Sequence, residues 1–349
     1  MNLHLYIPSL FWSDMTTPEI YQDLQLPSLE KLLSKSSIVQ AQESDFCAWL
    51  CQSFNVQKQL DWPVAPITLK TDYPNQADTI DNNYWLRADP VHLRIEQNHI
   101  MLANSHIFEL SHEEAKQYTS FINENLNDET FSLIPLHPHR WYVRLADMPE
   151  MQTRTLDEVT CRNINNLLPT GKDSVKWHRI FNEIQMLLHD HPLNQERTAR
   201  NQIAINSIWF WGGGHVPQSV CSPYSGVWSN DQFSQALADF CDTPFARLPD
   251  NVPHWLQQNK SENQQIVILD SLLYQDKYNN ALAWRENLKK LEKVWFTPLY
   301  TALKNTQINT LTISTTNENT SFEFVVTHNN LWKFWKTIKP LSFYAVKQS

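Results

Sequence analysis

Two arginines and two other ionisable side chains lie close together in WLRADPVHLR, and they could bind an anion. They are Arg87, Asp89, His92 and Arg94. A guanidinium group binds phosphate or carboxylate through two parallel hydrogen bonds, so Arg87 and Arg94 could clamp an anionic ligand. An ion pair between Arg87 and Asp89 that braces the turn before Pro90 would use the same residues. Only geometry separates these two interpretations, so both stay open.

A second group of candidates, His191, Asn194 and Arg197, lies in LLHDHPLNQER. Pro192 disfavours helical geometry at the residue before it, so these side chains fall at the end of a predicted helix. Side chains at a helix end can bind free backbone carbonyls, and they could also contact a ligand. We expect these side chains to bind free carbonyls at the helix end. A metal site is less favoured, because the two histidines of HDH can hold a metal only if the backbone lets both rings converge.

Two further groups of polar residues are weaker candidates. LHPHRW contains His137, His139 and Arg140 in a loop that its proline makes rigid, so it could hold a metal or a ligand. Asn182 and Gln185 in FNEIQM lie three residues apart on a predicted helix and can share one face. We expect that face to be solvated or to contact another helix, with ligand binding as the alternative.

Three consecutive glycines end a long apolar run of the chain. The run 203–211 has the β-branched and aromatic pattern of a strand covered on both faces. The chain has only five glycines, so Gly212, Gly213 and Gly214 together indicate unusual backbone angles or close approach by another group. That group could be a ligand, because open α/β sheets bind ligands outside the carboxyl ends of their strands. A tight crossing past bulky tryptophans requires glycine equally, and we favour this structural explanation slightly.

Charge and composition narrow the classes of partner. The net charge is -9 and the chain has no block of consecutive basic residues, which argues against nucleic acid or an anionic membrane as the default partner. We expect a small molecule or an unidentified protein instead. The five cysteines form no CxxC pair, which indicates reduced thiols. The amino terminus lacks a signal-peptide pattern and no apolar run is long enough to span a membrane, so we expect a cytoplasmic protein.

The order of predicted elements indicates an α/β protein. Strands are predicted at Leu3–Leu10 and Ile266–Leu269, and together with the strand before the glycines they would form one mainly parallel sheet. After a proline-rich stretch near residue 61, predicted hairpins alternate with helices, which is typical of an α+β region. We therefore predict a discontinuous α/β core of residues 1–60 and 200–349, with an α+β insertion over residues 61–199.

LLHDHPLNQER followed by INSIWFWGGGHVP resembles a segment of cofactor-independent phosphoglycerate mutases, especially the archaeal type. The chain is closer still to a bacterial family known both by that enzyme name and as RpfE-type regulatory proteins. WLRADPVHLR, LPTGKDSVKWHRIFNEIQMLLHDHP and NSIWFWGGG are the signatures that recur there. The resemblance implies an alkaline-phosphatase-like core with a mainly parallel sheet and an inserted domain. For the enzymes it implies phosphoryl transfer by a serine nucleophile, with two divalent cations such as Mn²⁺ or Mg²⁺ held by Asp and His.

The sequence departs from the mutase pattern at the positions of the metal ligands. The resemblance implies an early Asp-Gly strand and a late Asp-His loop, whereas LHLYIPSLFWSD offers Ser9 and Asp14 without an Asp-Gly turn. Asp270 and Asp276 follow a strand at a suitable place but without accompanying histidines. We therefore expect no metal cofactor and a degenerate mutase-like protein that binds a small anionic or phosphorylated ligand or acts in regulation. A working 2,3-bisphosphoglycerate-independent mutase and a protein-interaction module are the alternatives, and the catalytic residues stay unknown.

Overall fold

In a computed structural model, the chain forms two compact units. The structure describes residues 1–14, 16–41, 44–74, 83–96, 98–126, 131–218, 220–259, 263–317 and 321–346. The first unit comprises residues 1–54 and 221–349, and the second comprises residues 55–220. The first unit is therefore discontinuous in sequence and contains both ends of the chain.

Strands and helices alternate in both units. The strands of the described residues are β1 (Asn2–Tyr6), β2 (Ser37–Ala41), β3 (Tyr84–Glu96), β4 (His99–Ala103), β5 (Leu133–His137), β6 (Arg140–Leu145), β7 (Met151–Gln152), β8 (Thr170–Gly171), β9 (Ser207–Gly214), β10 (Gly226–Trp228), β11 (Phe245–Ala246), β12 (Gln264–Ile268), β13 (Thr310–Thr316) and β14 (Ser321–Thr327). The α-helices are α1 (Pro27–Lys35), α2 (Phe46–Ser53), α3 (Val64–Asp72), α4 (His112–Asn125), α5 (Leu156–Val159), α6 (Ser174–His189), α7 (Pro192–Ala199), α8 (Gln232–Phe240), α9 (Val252–Gln258), α10 (Leu273–Lys277), α11 (Ala281–Leu291), α12 (Thr297–Lys304), α13 (His328–Leu331) and α14 (Leu341–Val346). Short 3₁₀ turns lie at Pro18–Tyr21 and Ile164–Asn166, and a π-helical turn lies at Glu292–Phe296.

The first unit is built on a seven-stranded sheet in the order β11-β10-β12-β1-β13-β14-β2. The strands from β11 to β13 in this order are parallel, and β14 and β2 complete the sheet in antiparallel pairing. Leu3 and Leu5 on central β1 are buried, as expected for a strand whose sheet is covered by helices. The predicted α/β class with a mainly parallel sheet is confirmed.

Helices α1, α11 and α12 belong to the first unit and contribute to its core. Leu29, Leu288 and Leu303 are fully buried in one apolar cluster with residues of β1 and β13. Glu292, in the π turn between α11 and α12, accepts hydrogen bonds from the backbone N–H groups of Ser28 at 2.7 Å and Leu29 at 3.1 Å. These amides lie in the first turn of α1 and have no partner within the helix, so Glu292 satisfies them.

The second unit is built on a five-stranded antiparallel sheet. Four strands follow the order β4-β3-β6-β5, and β9 pairs with β3 beside this path. The long strand β3 pairs with β6 and β9 over its first part and with β4 over its last part. Helices α3 and α6 both contact β9, and α4 contacts β5, so the sheet has helical cover.

The strand that ends in the glycines lies in this second sheet, so its predicted place beside Leu3–Ile7 and Ile266–Leu269 is wrong. It pairs antiparallel with β3, with Trp209 opposite Asp89. The other two strands do pair, since β1 is parallel to β12. An unbroken apolar run indicates a strand buried on both faces, but it does not identify the neighbouring strand. The first unit consequently resumes near residue 221 rather than at residue 200.

The cysteines and the helix lengths add two simple facts. Cys47 and Cys51 are buried on α2, whereas Cys221 is exposed. Across the described ranges, every helix is too short or too polar to cross a membrane.

Candidate functional site

Arg87 and Asp89 form a buried ion pair on β3. Nε and Nη2 of Arg87 donate to the two carboxylate oxygens of Asp89 at 2.9 and 2.7 Å, and the two side chains are 5% and 2% exposed. Burial opposes the charge of the guanidinium, but the facing carboxylate raises the pKa of Arg87, which therefore stays protonated. The bidentate face of Arg87 is occupied by Asp89. The structure thus contains the bracing pair and not the anion clamp.

This ion pair is the centre of a network that joins three strands. Asp89 also accepts from the indole N–H of Trp211 at 2.9 Å and from the backbone N–H of Trp141 at 3.3 Å. The guanidinium lies 5.2 Å from the centroid of the Trp211 ring and 5.3 Å from that of Tyr142. Because Trp211 is on β9 and the other two aromatics are on β6, the network fixes both strands to β3. Its role is structural.

The remaining members of WLRADPVHLR do not converge with this pair. Arg94 is on the part of β3 that pairs with β4, where its side chain is 70% exposed and forms an ion pair with Glu96. His92 Nδ1 donates to the Ala204 carbonyl at 2.8 Å. Arg94 and His92 therefore have partners other than the Arg87–Asp89 pair, and the four candidates do not converge on one ligand site.

The LHPHRW segment forms a second ion pair rather than a ligand site. Arg140 donates to both carboxylate oxygens of Asp72 at 2.6 Å, and the Tyr142 hydroxyl donates to the same carboxylate at 2.6 Å. Burial would raise the pKa of Asp72, but these donors lower it below its ordinary value. His137 and His139 lie with ring centroids 5.8 Å apart, and burial lowers the pKa of His137 to about 4.

Asn194 and His191 form hydrogen bonds with backbone groups at the junction between α6 and α7. The Asn194 amide donates to the carbonyls of Leu188 and Ile205, both at 2.8 Å. Its oxygen accepts from the Ile205 N–H at 2.9 Å and from the Tyr118 hydroxyl at 2.5 Å. His191 caps α7 by accepting from the backbone N–H two residues later at 3.2 Å. This is the structural role that we expected at the helix end.

Arg197 is equally committed to contacts within the protein. Its guanidinium donates to the backbone carbonyls of Ile203 at 2.8 Å and Glu109 at 2.9 Å, and it pairs with the Glu114 carboxylate at 2.7 Å. Its side chain is almost completely buried. Arg197 therefore ties the loop before β9 to the start of α4 and presents no free donor pair to a ligand.

The three glycines are packed against the protein's own side chains. A Cβ atom on Gly213 would lie 2.2 Å from the Tyr84 hydroxyl, and one on Gly214 would lie 2.7 Å from the Cβ of Pro63. Gly212 has a φ of 66°, which L side chains rarely adopt. Close approach by neighbouring residues, the explanation that we favoured slightly, therefore accounts for the glycines without a ligand.

The remaining helical candidates lie on a solvent-facing side. Asn182 is exposed and Gln185 is half-buried on α6, whose buried face carries Trp177 and Ile184. Beyond the end of this helix, an open depression of about 550 Å³ is lined in part by Asn194 and by residues near β9. Because the Asn194 amide is already bonded to backbone groups, we do not regard this depression as a preformed polar site.

Polar side chains gather instead at the carboxyl ends of three neighbouring parallel strands of the first unit. Asp270 follows β12, Ser9 and Ser13 follow β1, and Thr316 ends β13. Asp276 lies on α10, just after Asp270. Open α/β sheets bind ligands in the crevice outside the carboxyl ends of their strands. We therefore define these five residues as the carboxyl-end site.

Asp276 holds the loop that follows β1. Its carboxylate accepts from the Ser13 backbone N–H at 2.9 Å, from the Ser13 hydroxyl at 2.6 Å and from the Ser9 side chain. Burial raises the pKa of Asp276, and these hydrogen bonds offset the rise only in part. Ser9 has a φ of 54°, and its backbone N–H donates to the Thr316 carbonyl at 2.9 Å while its carbonyl accepts from the Trp284 indole at 2.9 Å. Both serine hydroxyls are therefore engaged inside the protein.

Asp270 is the most available ionisable group of the carboxyl-end site. Its side chain is half-buried, and burial raises the pKa of its carboxyl. Within the described part of the chain, its carboxylate forms no ion pair, and its own backbone amide is the donor that lowers this pKa slightly. A half-buried carboxyl with a raised pKa is a candidate for exchanging a proton with a ligand or for accepting hydrogen bonds from it.

The two divalent cations implied by the mutase resemblance do not fit the carboxyl-end site. Two cations about 4 Å apart need a dense set of carboxylate and imidazole ligands to neutralise their charge. No three His, Cys, Asp or Glu side chains in the described ranges are arranged to hold even one metal ion. Asp276 is already occupied by Ser13 and Ser9.

Sequence comparison relates part of this chain to named mutases. No family model matches the chain. A stretch of 138 residues is 26% identical to the 2,3-bisphosphoglycerate-independent phosphoglycerate mutase of Methanosarcina mazei, covering 38% of this chain and 35% of that enzyme. The enzyme of the same name from Methanosarcina barkeri is 27% identical over 111 residues, covering 31% of this chain and 28% of the relative. The matched stretches thus span about a third of these relatives, and remote similarity to the mutases is confirmed.

Structural comparison supports the fold. A solved structure of a Pyrococcus horikoshii protein has a TM-score of 0.50 at 10% identity, covering 93% of this chain and 87% of that one. The cofactor-independent phosphoglycerate mutase from Thermoplasma acidophilum has a TM-score of 0.49 at 12% identity, covering 99% and 95%. At such identities the likeness shows the fold alone. Together with the mainly parallel sheet, the likeness to the Pyrococcus horikoshii protein supports the α/β fold class that the sequence predicts.

The carboxyl-end site was only partly visible in the sequence. Ser9 is a candidate because it follows the predicted first strand, and Asp270 and Asp276 are candidates because they follow a strand at a place where the resemblance puts metal ligands. Ser13 and Thr316 were missed. Two sequence features could have indicated them. Ser13 lies in PSLFWSD, a serine-containing loop directly after a predicted strand, and Thr316 ends the hydroxyl-rich segment ISTT.

Proposed function

We propose that this chain is a phosphoglycerate-mutase-like protein that does not catalyse metal-dependent phosphoryl transfer and instead acts by binding or regulation. The observation that supports this most is the engagement of Asp276 with Ser13 and Ser9, in a site without a set of metal ligands. A serine that attacks a phosphoryl group needs cations to neutralise the transferred charge. The ionisable groups of the site itself are the carboxyls of Asp270 and Asp276, which repel a phosphate when they are ionised, and the neighbouring cation, Lys277, interacts with Asp276.

The same geometry bears on the class of ligand. The sequence predicts a small anionic or phosphorylated ligand with Arg87 and Arg94 as anion donors and the backbone amides of Gly212–Gly214 nearby. Arg87 is occupied by Asp89, and Arg94 pairs with Glu96 far along β3. At the carboxyl-end site, half-buried Asp270 is suited to a ligand that donates hydrogen bonds, such as a hydroxyl or an amine. We therefore favour a hydroxylated or amino ligand over a phosphorylated one at the carboxyl-end site.

The test is the interconversion of 2- and 3-phosphoglycerate, followed by ³¹P NMR with Mn²⁺, with Mg²⁺ and with EDTA. The mutase of Methanosarcina mazei serves as the positive control under the same conditions. We expect no turnover that depends on the metal. Manganese-stimulated turnover that is lost in Ser9→Ala or Asp270→Asn, and kept in the neighbouring control Ser271→Ala, would show that the protein is a working mutase.

A further inference from the structure

The carboxyl-terminal part of the first unit exposes several large apolar side chains. Trp332, Phe334 and Trp335 are 69%, 88% and 68% exposed, and Ile338 is 45% exposed. Residues of these types usually form cores, and a contiguous exposed group of them marks an interaction surface. We call these four residues, together with Lys333, Lys336 and Lys339, the aromatic-lysine patch.

Charge in this segment differs from charge in the rest of the chain. The lysines recur at every third position in WKFWKTIK, and each directly follows a member of the apolar set. The last acidic residue of the chain is Glu323, so residues 324–349 contain no Asp or Glu, although the whole sequence has 37 of them. Although the net charge of the chain is -9, the segment that contains the aromatic-lysine patch is locally positive and also carries aromatic rings.

The backbone of the patch is fixed to the first unit. The ammonium group of buried Lys35 donates to the carbonyls of Lys333 at 2.5 Å and Lys336 at 2.9 Å. In return, the ammonium group of Lys336 donates to the Ser36 carbonyl at 2.7 Å. These three bonds hold the segment against the end of α1 while its aromatic side chains stay exposed. The side chains therefore protrude from a supported backbone.

We propose that the aromatic-lysine patch docks this protein on an anionic lipid surface. Aromatic rings partition into the boundary between lipid headgroups and acyl chains, and lysines beside them meet the headgroup phosphates. A protruding set of rings suits insertion into a soft interface, whereas a helix or peptide partner would need a groove. A two-fold contact between two copies would place these lysines against one another, which is unfavourable.

Co-sedimentation of the full-length protein with vesicles tests this proposal. The vesicles are phosphatidylcholine alone, or phosphatidylcholine with phosphatidylglycerol at about 3:1, each at low and high salt. We expect binding to the anionic vesicles that weakens with salt. A basic residue near such a surface contributes about 1 kcal/mol, or roughly fivefold in partitioning, so the double variant Lys333→Gln/Lys339→Gln should bind at least tenfold more weakly. Trp332→Ala/Trp335→Ala should reduce binding at both salt concentrations.

Two exposed residues of α11 provide matched controls. Lys290→Gln removes an exposed lysine, and Leu282→Ala removes an exposed apolar side chain, both outside the patch. We expect both to bind like the unmodified protein, with circular dichroism confirming that all variants fold. The proposal is overturned if the unmodified protein prefers neither vesicle, or if patch variants and controls bind equally. It is also overturned if light scattering gives Trp332→Ala/Trp335→Ala half the molar mass of the unmodified protein, because the patch would then be an interface between subunits.

Discussion

Removing the guanidinium of Arg87 should destabilise the second unit far more than removing that of Arg94. In Arg87→Ala, Asp89 keeps its bonds from Trp211 and Trp141 but loses both bonds from a cation. Burial raises the pKa of Asp89 and Arg87 offsets part of that rise, so the variant must bury an unpaired carboxylate or protonate it. Breaking a buried pair in this way costs about 3–5 kcal/mol. The exposed pair of Arg94 contributes at most about 1 kcal/mol.

The chain has two units that need not unfold together, so the free energy is best measured locally. Hydrogen–deuterium exchange of peptides from β3 and β9 reports opening of the sheet that contains the pair. We expect Arg87→Ala to lower protection there by at least a hundredfold, and Arg94→Ala to leave it within a few-fold. Arg87→Met with Asp89→Leu should recover most of the loss, because it removes both charges together. Equal protection in the two single variants, with weaker phosphoglycerate binding in Arg87→Ala, would refute this reasoning and restore the anion clamp.

Two other substitutions test the packing of the glycines and the state of Asp270. Gly213→Ala places a Cβ 2.2 Å from the Tyr84 hydroxyl, so we expect a loss of about 1–3 kcal/mol in thermal unfolding, recovered in part by Tyr84→Phe. Equal melting of Gly213→Ala and the unmodified protein would contradict that contact. Burial raises the pKa of Asp270 in the folded state above its value of about 4 in the unfolded chain. The stability linked to this carboxyl is therefore present below about pH 4 and is lost as pH rises through the folded-state pKa. In urea unfolding, the free energy of unfolding of Asp270→Asn should therefore rise relative to that of the unmodified protein between pH 4 and pH 7. If the difference between the two proteins is the same at both pH values, the carboxyl of Asp270 is not buried as described.

The sequence predicted the central strands of the first unit because their cause is local. The apolar residues Leu3 and Leu5 of β1 and the apolar run 266–268 of β12 are buried, and both strands lie in a parallel sheet. The apolar run of β9 was recognised as a buried strand for the same reason, but its partner was wrong. Pairing depends on contacts over long sequence separations, since β9 lies more than a hundred residues from β3, and no periodic pattern encodes that choice.

The candidate ligand-binding residues show that residue type alone does not identify a site. Arg87 and Asp89 lie two residues apart on one strand, so their side chains point to the same face and can pair directly. The two-residue spacing by itself therefore favours the ion pair over the anion clamp. The carboxyl-end site was less accessible, because Ser13 and Asp276 are 263 residues apart and meet only after the sheet has formed. Its residues are ordinary serines and aspartates that no spacing rule connects.

Mutase chemistry depends on divalent metals, and we expect the carboxyl-end site to hold none. Equilibrium dialysis of the purified protein against micromolar Mn²⁺, followed by elemental analysis, measures this most directly. Dialysis of the Methanosarcina mazei mutase in parallel shows whether the conditions permit binding. We predict less than one tenth of an equivalent of Mn²⁺ above the buffer per chain, unchanged in Asp270→Asn. Two equivalents per chain, reduced by Asp270→Asn or Asp276→Asn, would contradict the account.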